Sequence, residues 1–243
     1  LVLENWDIFS QDRYDLGHAV HWEHLIEPIE EGLDPPFVKQ YPIPVNDEPL
    51  LDEMAKTLVS RGVLIPQHSP GNSPVFIVRK PGSQPRFVQD LRQQNMLSKI
   101  DRYQILGLRE SIVQAGKRKP TYFSTLDMSG AFWQLSLAEE SRPWSAFTLP
   151  FLGTQLCWSR VPMGAKGSTA SFAKFLHICF QKMPEMLTFV DDMMTMAQTN
   201  EEMVEILDKA FQILRLNNLK LNLKKCRLGW KEVTWLGFSI SKN

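Results

Sequence analysis

The sequence predicts an α+β fold whose later half is a ferredoxin-like split βαβ sheet. From residue 121 onward, apolar runs of strand length alternate with two amphipathic helical stretches. With a hairpin at 144–160 set aside, those runs come in the order strand, helix, strand, strand, helix, strand, which is the order of that motif. The chain has 243 residues, 43% hydrophobic and 22% charged, so it can fill one large core or two smaller ones. That composition excludes disordered, collagen-like and mucin-like chains.

Taken in order, residues 1–47 are acidic and irregular. Asp34-Pro35-Pro36 and Tyr41-Pro42-Ile43-Pro44 break any regular element, so this stretch reads as an extended arm. Asp47 is placed to cap a helix with Pro49 in its first turn, Leu50, Leu51, Met54 and Leu58 on one face, and Gly62 as its stop. Residues 74–80 and 86–90 flank a Pro-Gly-Ser-Gln-Pro turn and read as a hairpin bearing Arg79, Lys80 and Arg86, with Arg92 just beyond. Strands are expected at 121–127, 144–149 and 155–160, then a helix at about 168–183 with Phe172, Phe175, Leu176, Cys179 and Phe180 among its apolar residues. A strand at 187–190 enters Asp191-Asp192 and leaves through 193–197, whose Met193, Met194 and Met196 read as core filler. Thr199 or Asn200 caps the next helix, with Met203, Ile206, Leu207, Ala210, Phe211 and Leu214 as its buried stripe. Strands at 219–223 and 233–240 complete the set. In this topology the first and third strands lie side by side, so Asp127 and Asp191-Asp192 are expected to meet.

Lys+Arg and Asp+Glu are equal at 27 each, but the balance is uneven along the chain. Residues 1–53 hold 13 acidic residues against Arg13 and Lys39, and residues 54–243 hold 25 basic against 14 acidic. A polyanionic partner is therefore expected on the later part. Cys157, Cys179 and Cys226 show no zinc or disulfide spacing and read as reduced thiols, which implies an intracellular setting. No apolar run approaches the ~18 residues of a membrane span, so no membrane partner is expected. The first residue is not Met, so the chain reads as part of a longer polypeptide.

Asp127 follows the run Tyr122-Phe123-Ser124-Thr125-Leu126, and Asp191-Asp192 lies between Phe189-Val190 and Met193-Met194. An isolated Asp-Asp pair is ordinarily a solvated turn. Three carboxylates in apolar frames lose hydration and repel one another, a cost offset by divalent cations on oxygen ligands. With no His or Cys near them in sequence, the hard cations Mg²⁺ or Mn²⁺ fit better than zinc. His18, His21 and His24 are spaced three apart, which spreads the rings around a helix, and no cysteine or carboxylate cluster completes a site.

Several stretches together resemble the reverse transcriptases of retroviruses and LTR retrotransposons, with the gypsy-type elements as the nearest likeness. They are Asp7-Ile8-Phe9-Ser10 with Asp15-Leu16-Gly17; Gly62-Val63-Leu64-Ile65-Pro66; Arg79-Lys80-Pro81-Gly82 leading to Arg86-Phe87-Val88-Gln89-Asp90-Leu91-Arg92; Leu126-Asp127-Met128-Ser129-Gly130-Ala131-Phe132-Trp133-Gln134; Arg160-Val161-Pro162-Met163-Gly164-Ala165-Lys166; Phe189-Val190-Asp191-Asp192; and Trp235-Leu236-Gly237. The resemblance implies a polymerase right hand seen in part: an N-terminal acidic arm at 1–39, fingers at 40–120 and again at 144–160, palm at 121–143 and 161–238, and the start of a thumb at 239–243. It implies an RNA-directed and DNA-directed DNA polymerase that adds deoxynucleotide triphosphates to a primer 3′ end on an RNA or DNA template by two-metal phosphoryl transfer.

By the same resemblance Asp127, Asp191 and Asp192 hold two Mg²⁺ ions. Lys80 and Arg86 grip the triphosphate, with Met163 and Lys166 near the nucleotide. Phe132 stands where the family places the ring that rejects a ribose 2′-hydroxyl, and Trp235-Leu236-Gly237 matches the primer grip. Arg92, Lys220, Lys224, Lys225 and Arg227 are expected to meet template–primer phosphates. Phe189 and Met163 depart from the commonest family residues, Tyr and, in retroviral members, Gln. Thumb, connection and RNase H regions are expected in the full-length protein, in the cytoplasm or a virus-like particle. A second reading keeps the fold without chemistry, as a domesticated or non-catalytic subunit that binds nucleic acid or acts as a scaffold.

Overall fold

A computed structural model of the chain describes residues 1–82, 84–100, 103, 113, 116, 117 and 119–242. Ser83 of the expected turn, most of the end of the expected 40–120 fingers, and Asn243 of the expected thumb start lie outside the described residues. The chain divides into two compact units: Leu1–His21, Arg102–Gln134 and Thr169–Asn243 form one, and Trp22–Asp101 with Leu135–Ser168 form the other. No helix among the described residues is long and apolar enough to cross a membrane.

The first unit is built on a four-stranded antiparallel sheet in the spatial order Arg227–Trp230, Tyr122–Asp127, Asp192–Ala197, Met186–Phe189. By chain position this is fourth, first, third, second, the arrangement expected of a split βαβ sheet. Alternation along the strands separates its two faces. Phe123, Thr125 and Asp127 stand opposite Met196, Met194 and Asp192 on one face. There Phe123, Met194 and Met196 close a buried cluster with Val233 and Trp235 of the hairpin that pairs Glu232–Trp235 with Phe238–Ser241. On the other face, the helix Asn200–Leu216 packs on the two central strands, and the buried Ser124 hydroxyl donates to the Met203 sulfur. Thr199 caps this helix by accepting the Glu202 N–H.

Three expectations are corrected here. The fourth strand is Arg227–Trp230, not 219–223, where only Leu221 forms isolated bridges, to Phe9 and Met128. The register of Arg227–Trp230 against Tyr122–Asp127 shifts between Arg227 and Trp230, with Gly229 at φ +69°, and this break disguises the strand in the sequence. The expected strand at 233–240 folds back on itself, because Leu236 (φ 51°) and Gly237 (φ 80°) form a two-residue turn whose backbone matches the strand twist. The acidic N-terminus is not a loose arm over its first 21 residues. Ile8 and Phe9 are buried, Phe9 meets Phe211 edge-on, and Arg215 clamps Asp7 (2.7 and 2.8 Å) and Asn5 (2.7 Å).

The second unit holds the helix Glu48–Ser60, a sheet pairing Leu64–Pro66, Thr154–Trp158 and Phe147–Leu149, and the separate hairpin Val75–Val78 with Arg86–Gln89. Asp47 occupies the N-cap position without a side-chain cap bond, and its carboxylate takes Arg79 at 2.6 Å instead. Gly62 (φ +66°) ends the helix as expected. The expected strand at 144–149 is shortened to Phe147–Leu149, since the preceding residues Glu139–Ser145, with Pro143 among them, form a 3₁₀ turn. A buried carboxamide links the sheet to the hairpin: Gln89 donates to the Ser145 carbonyl and accepts from the Trp158 indole.

Candidate active site

The register that places Asp192 opposite Asp127 puts both carboxylates on one face, at the end of the sheet beyond the Phe123–Met194–Met196 cluster. Directly opposed residues of antiparallel strands have Cβ atoms about 4.5–5.5 Å apart. Asp191 is the second residue of the two-residue loop that joins Met186–Phe189 to Asp192–Ala197. The first, Val190, has φ 57°, a conformation that a β-branched side chain adopts only under strain. Glycine is the usual residue there.

The three charges act on one another. Burial, and after it the negative charge of Asp191, hold the Asp127 carboxyl above the ordinary range, while Lys225 opposes the shift. Asp192 is raised by burial and then by Asp191 and Asp127. Lys225 Nζ lies 3.2 Å from Asp127 Oδ1 and 3.4 Å from Oδ2, with hydrogen-bond geometry only to Oδ2. Oδ1 is buried and accepts no hydrogen bond.

Segment 220–226 frames Asp127 through the backbone as well. The Asp127 carbonyl accepts the Asn222 N–H at 2.8 Å, and the Asp127 N–H points at Cys226 Sγ, 3.5 Å away. Burial pushes the Cys226 thiol up to about 11. Among the described residues no three His, Cys, Asp or Glu side chains close into a ready metal cage. An open set of carboxylates with a buried oxygen that accepts no hydrogen bond nevertheless fits a hard divalent ion, which keeps several waters and takes only one or two protein carboxylates.

Other expected residues of this unit are placed as follows. Phe132 is half-buried in the 3₁₀ turn Ala131–Gln134 and meets Phe172 of the helix Ser168–Phe180 edge-on at 5.9 Å. Trp235 is 3% exposed and lies in the cluster under the hairpin with its indole N–H unbonded, while Leu236 and Gly237 form the tip. Lys220 forms a partly buried ion pair with Asp15 at 2.5 Å, and Arg227 lies over the Trp230 ring. Both are therefore engaged within the protein. Lys224 is exposed.

In the second unit Lys80 and Arg86 are exposed on the hairpin and have no ion-pair or hydrogen-bond partner among the described residues, whereas the neighbouring Arg79 is held by Asp47. Met163 is 46% exposed. The Lys166 ammonium donates to the Asn95 and Ser98 carbonyls at 2.8 and 2.6 Å, a structural use that sequence reasoning did not identify. Arg92 forms a bidentate pair with Asp90, which also accepts from Tyr41, so its charge is largely matched in place.

The family described as reverse transcriptase (RNA-dependent DNA polymerase) matches residues 78–240. The chain is 35% identical over 233 residues to the Pro-Pol polyprotein of Simian foamy virus type 3 (strain LK3), covering 91% of the chain and 20% of that polyprotein. It is 28% identical over 222 residues to the retrovirus-related Pol polyprotein from transposon opus of Drosophila melanogaster, covering 86% of the chain and 21% of that protein. Among solved structures, the foamy viral protease-reverse transcriptase in complex with RNA/DNA hybrid superposes with a TM-score of 0.85 at 29% identity, over 99% of this chain and 32% of that one. The chain thus spans about a fifth of the length of these curated relatives. Taken with the carboxylates opposed at the ends of the two central strands of a split βαβ sheet, the match means that the chain belongs to the reverse transcriptase family.

Proposed function

We propose that this chain is the fingers–palm core of an enzyme that adds deoxynucleotides to a primer 3′ end on an RNA or DNA template. The observation that carries the reading is the opposition of Asp127 and Asp192 on neighbouring central strands, with Asp191 in the strained loop beside them and Asp127 Oδ1 buried and accepting no hydrogen bond. Asp127, Asp191 and Asp192 would hold two divalent cations, Mg²⁺ or Mn²⁺, which when bound supply activation of the primer hydroxyl and neutralisation of the leaving pyrophosphate.

The remaining roles belong to the protein's own side chains. Lys80 and Arg86, exposed and without internal partners among the described residues, offer charge-assisted hydrogen bonds to a triphosphate. Met163 and Lys166 line the nucleotide's surroundings, Lys166 by fixing the backbone around Asn95 and Ser98. Phe132, braced by Phe172, rejects a ribose 2′-hydroxyl by contact. The Trp235-Leu236-Gly237 tip, anchored by the buried Trp235, holds the primer end. Lys224 meets backbone phosphates, so binding weakens as salt rises. The full-length protein would add thumb, connection and RNase H regions and work in the cytoplasm or in a virus-like particle.

Primer extension by the full-length protein on an RNA template, with deoxynucleotides and Mg²⁺, tests this reading against an Asp191→Asn variant. Extension by the wild type and its loss in the variant are expected. Template–primer binding with no extension by the wild type would overturn it. Phe132→Val should admit ribonucleotides, and unchanged sugar selectivity would remove the role given to that ring.

A further inference from the structure

Gln134 is fully buried, at 0% exposure, and its carboxamide makes three bonds. Nε2 donates to the carbonyl oxygens of Ser129 (2.7 Å) and Lys220 (2.8 Å), and Oε1 accepts the Lys220 N–H at 2.7 Å. One side chain thus captures both backbone groups of Lys220 and ties them to the loop that follows Asp127. The Ser129 N–H closes the ring by donating to the Lys220 carbonyl at 3.0 Å. Two residues further on, the chain begins the contacts that frame Asp127, through Asn222, Lys225 and Cys226.

The buried Gly17 packs directly against the bracket. A Cβ there would overlap the Asn218 carbonyl oxygen and Gln134 Oε1. The His18 N–H donates to that same Asn218 carbonyl at 2.8 Å, and the Ala19 N–H to the Gln134 carbonyl at 2.7 Å. Asp15 holds the Lys220 ammonium at 2.5 Å. The packed N-terminal segment therefore bears on the same few peptide groups.

We propose that Gln134 is a positioning residue: its carboxamide fixes the register of segment 218–226 against the strand end that presents Asp127, and Gly17 leaves the room this requires. The residue touches no reacting group and acts through the Lys220 and Ser129 peptides. Its effect on turnover rests on the polymerase reading, whereas its effect on the order of this segment does not.

The test uses the full-length protein carrying Gln134→Met, which keeps the volume and removes the polar atoms, or Gly17→Ala, which crowds the same site. Hydrogen–deuterium exchange is followed in peptides spanning 126–130 and 218–226, beside steady-state primer extension. Losing these buried bonds should speed exchange in the two peptides about tenfold or more, with the rest of the unit unchanged. Displacement of Asp127 should lower kcat about 10- to 100-fold with KM for the nucleotide within about twofold. The two changes combined should fall short of additivity, because both act on one bracket. A folded Gln134→Met protein with wild-type exchange in both peptides, or with faster exchange spread evenly over the unit, would overturn the proposal. If the wild type extends no primer, the polymerase reading fails and the exchange result still decides the role of Gln134.

Discussion

The two charged regions of this protein are built on opposite terms. The acidic region is embedded: Asp127 and Asp192 are partly buried at the end of a four-stranded sheet, and segment 220–226 grips Asp127 by carbonyl, amide and carboxylate. The basic region is bare: Lys80 and Arg86 extend from a two-stranded hairpin with no internal partner among the described residues. The difference matches the roles proposed for each group. Under that proposal, carboxylates that would hold cations at fixed spacing are desolvated and braced, at a cost in stability, whereas side chains that would find a mobile polyphosphate stay hydrated and free to adjust.

The contrast can be broken most forcefully at the carboxylates. Asp127→Asn is expected to reduce primer extension by about 10³-fold or more while the fold persists. An active variant would end the comparison. Next, Lys80→Ala with Arg86→Ala should raise KM for deoxynucleotides about 10- to 100-fold for each cationic group removed, with melting temperature unchanged. A drop in melting temperature would reveal an internal role for these side chains. Arg79→Ala should behave in the opposite way, losing the Asp47 pair and affecting nucleotide KM little.

The stability arm is smaller and has a definite sign. Raised carboxyl values mean that the native state holds protons more tightly than the unfolded chain, so their contribution is present below the unfolded value of 3.8 and is lost as pH rises through the folded values. In EDTA, chemical melts should therefore show this contribution declining above pH 4, and Asp127→Asn should remove part of that decline and raise stability at neutral pH by about 1 kcal/mol. Asp90 works the other way: Arg92 holds it well below the ordinary range, so its contribution is lost as pH falls. Smallest of all, Val190→Gly should relieve the strained loop and raise the melting temperature by about 2–4 °C, with slower extension as Asp191 gains freedom.

The central sheet and its acids were legible because the apolar runs before Asp127 and around Asp191-Asp192 have strand length and stand in a recognisable order. The Asn200–Leu216 helix was legible from its stripe and its cap. What escaped reading depends on contacts between residues distant in sequence. Gln134 follows Phe132-Trp133 and looks like an ordinary polar position, yet its partners lie at 129 and 220. Lys166 reads as a cation for a ligand, yet backbone carbonyls at 95 and 98 take it. The Leu236-Gly237 turn lacks the Asn-Gly signature, and a positive φ at a leucine is set by the hairpin as a whole. The N-terminus was hidden because its prolines lie beyond residue 27, after the part that packs.

The thiol of Cys226, aimed at by the Asp127 amide, has a practical consequence. A buried sulfur that burial keeps protonated to about 11 reacts with alkylating reagents only when segment 220–226 lifts away from the sheet. Its labelling rate would therefore time that local excursion without any probe being introduced, and would show whether a divalent ion or a template–primer keeps the segment seated.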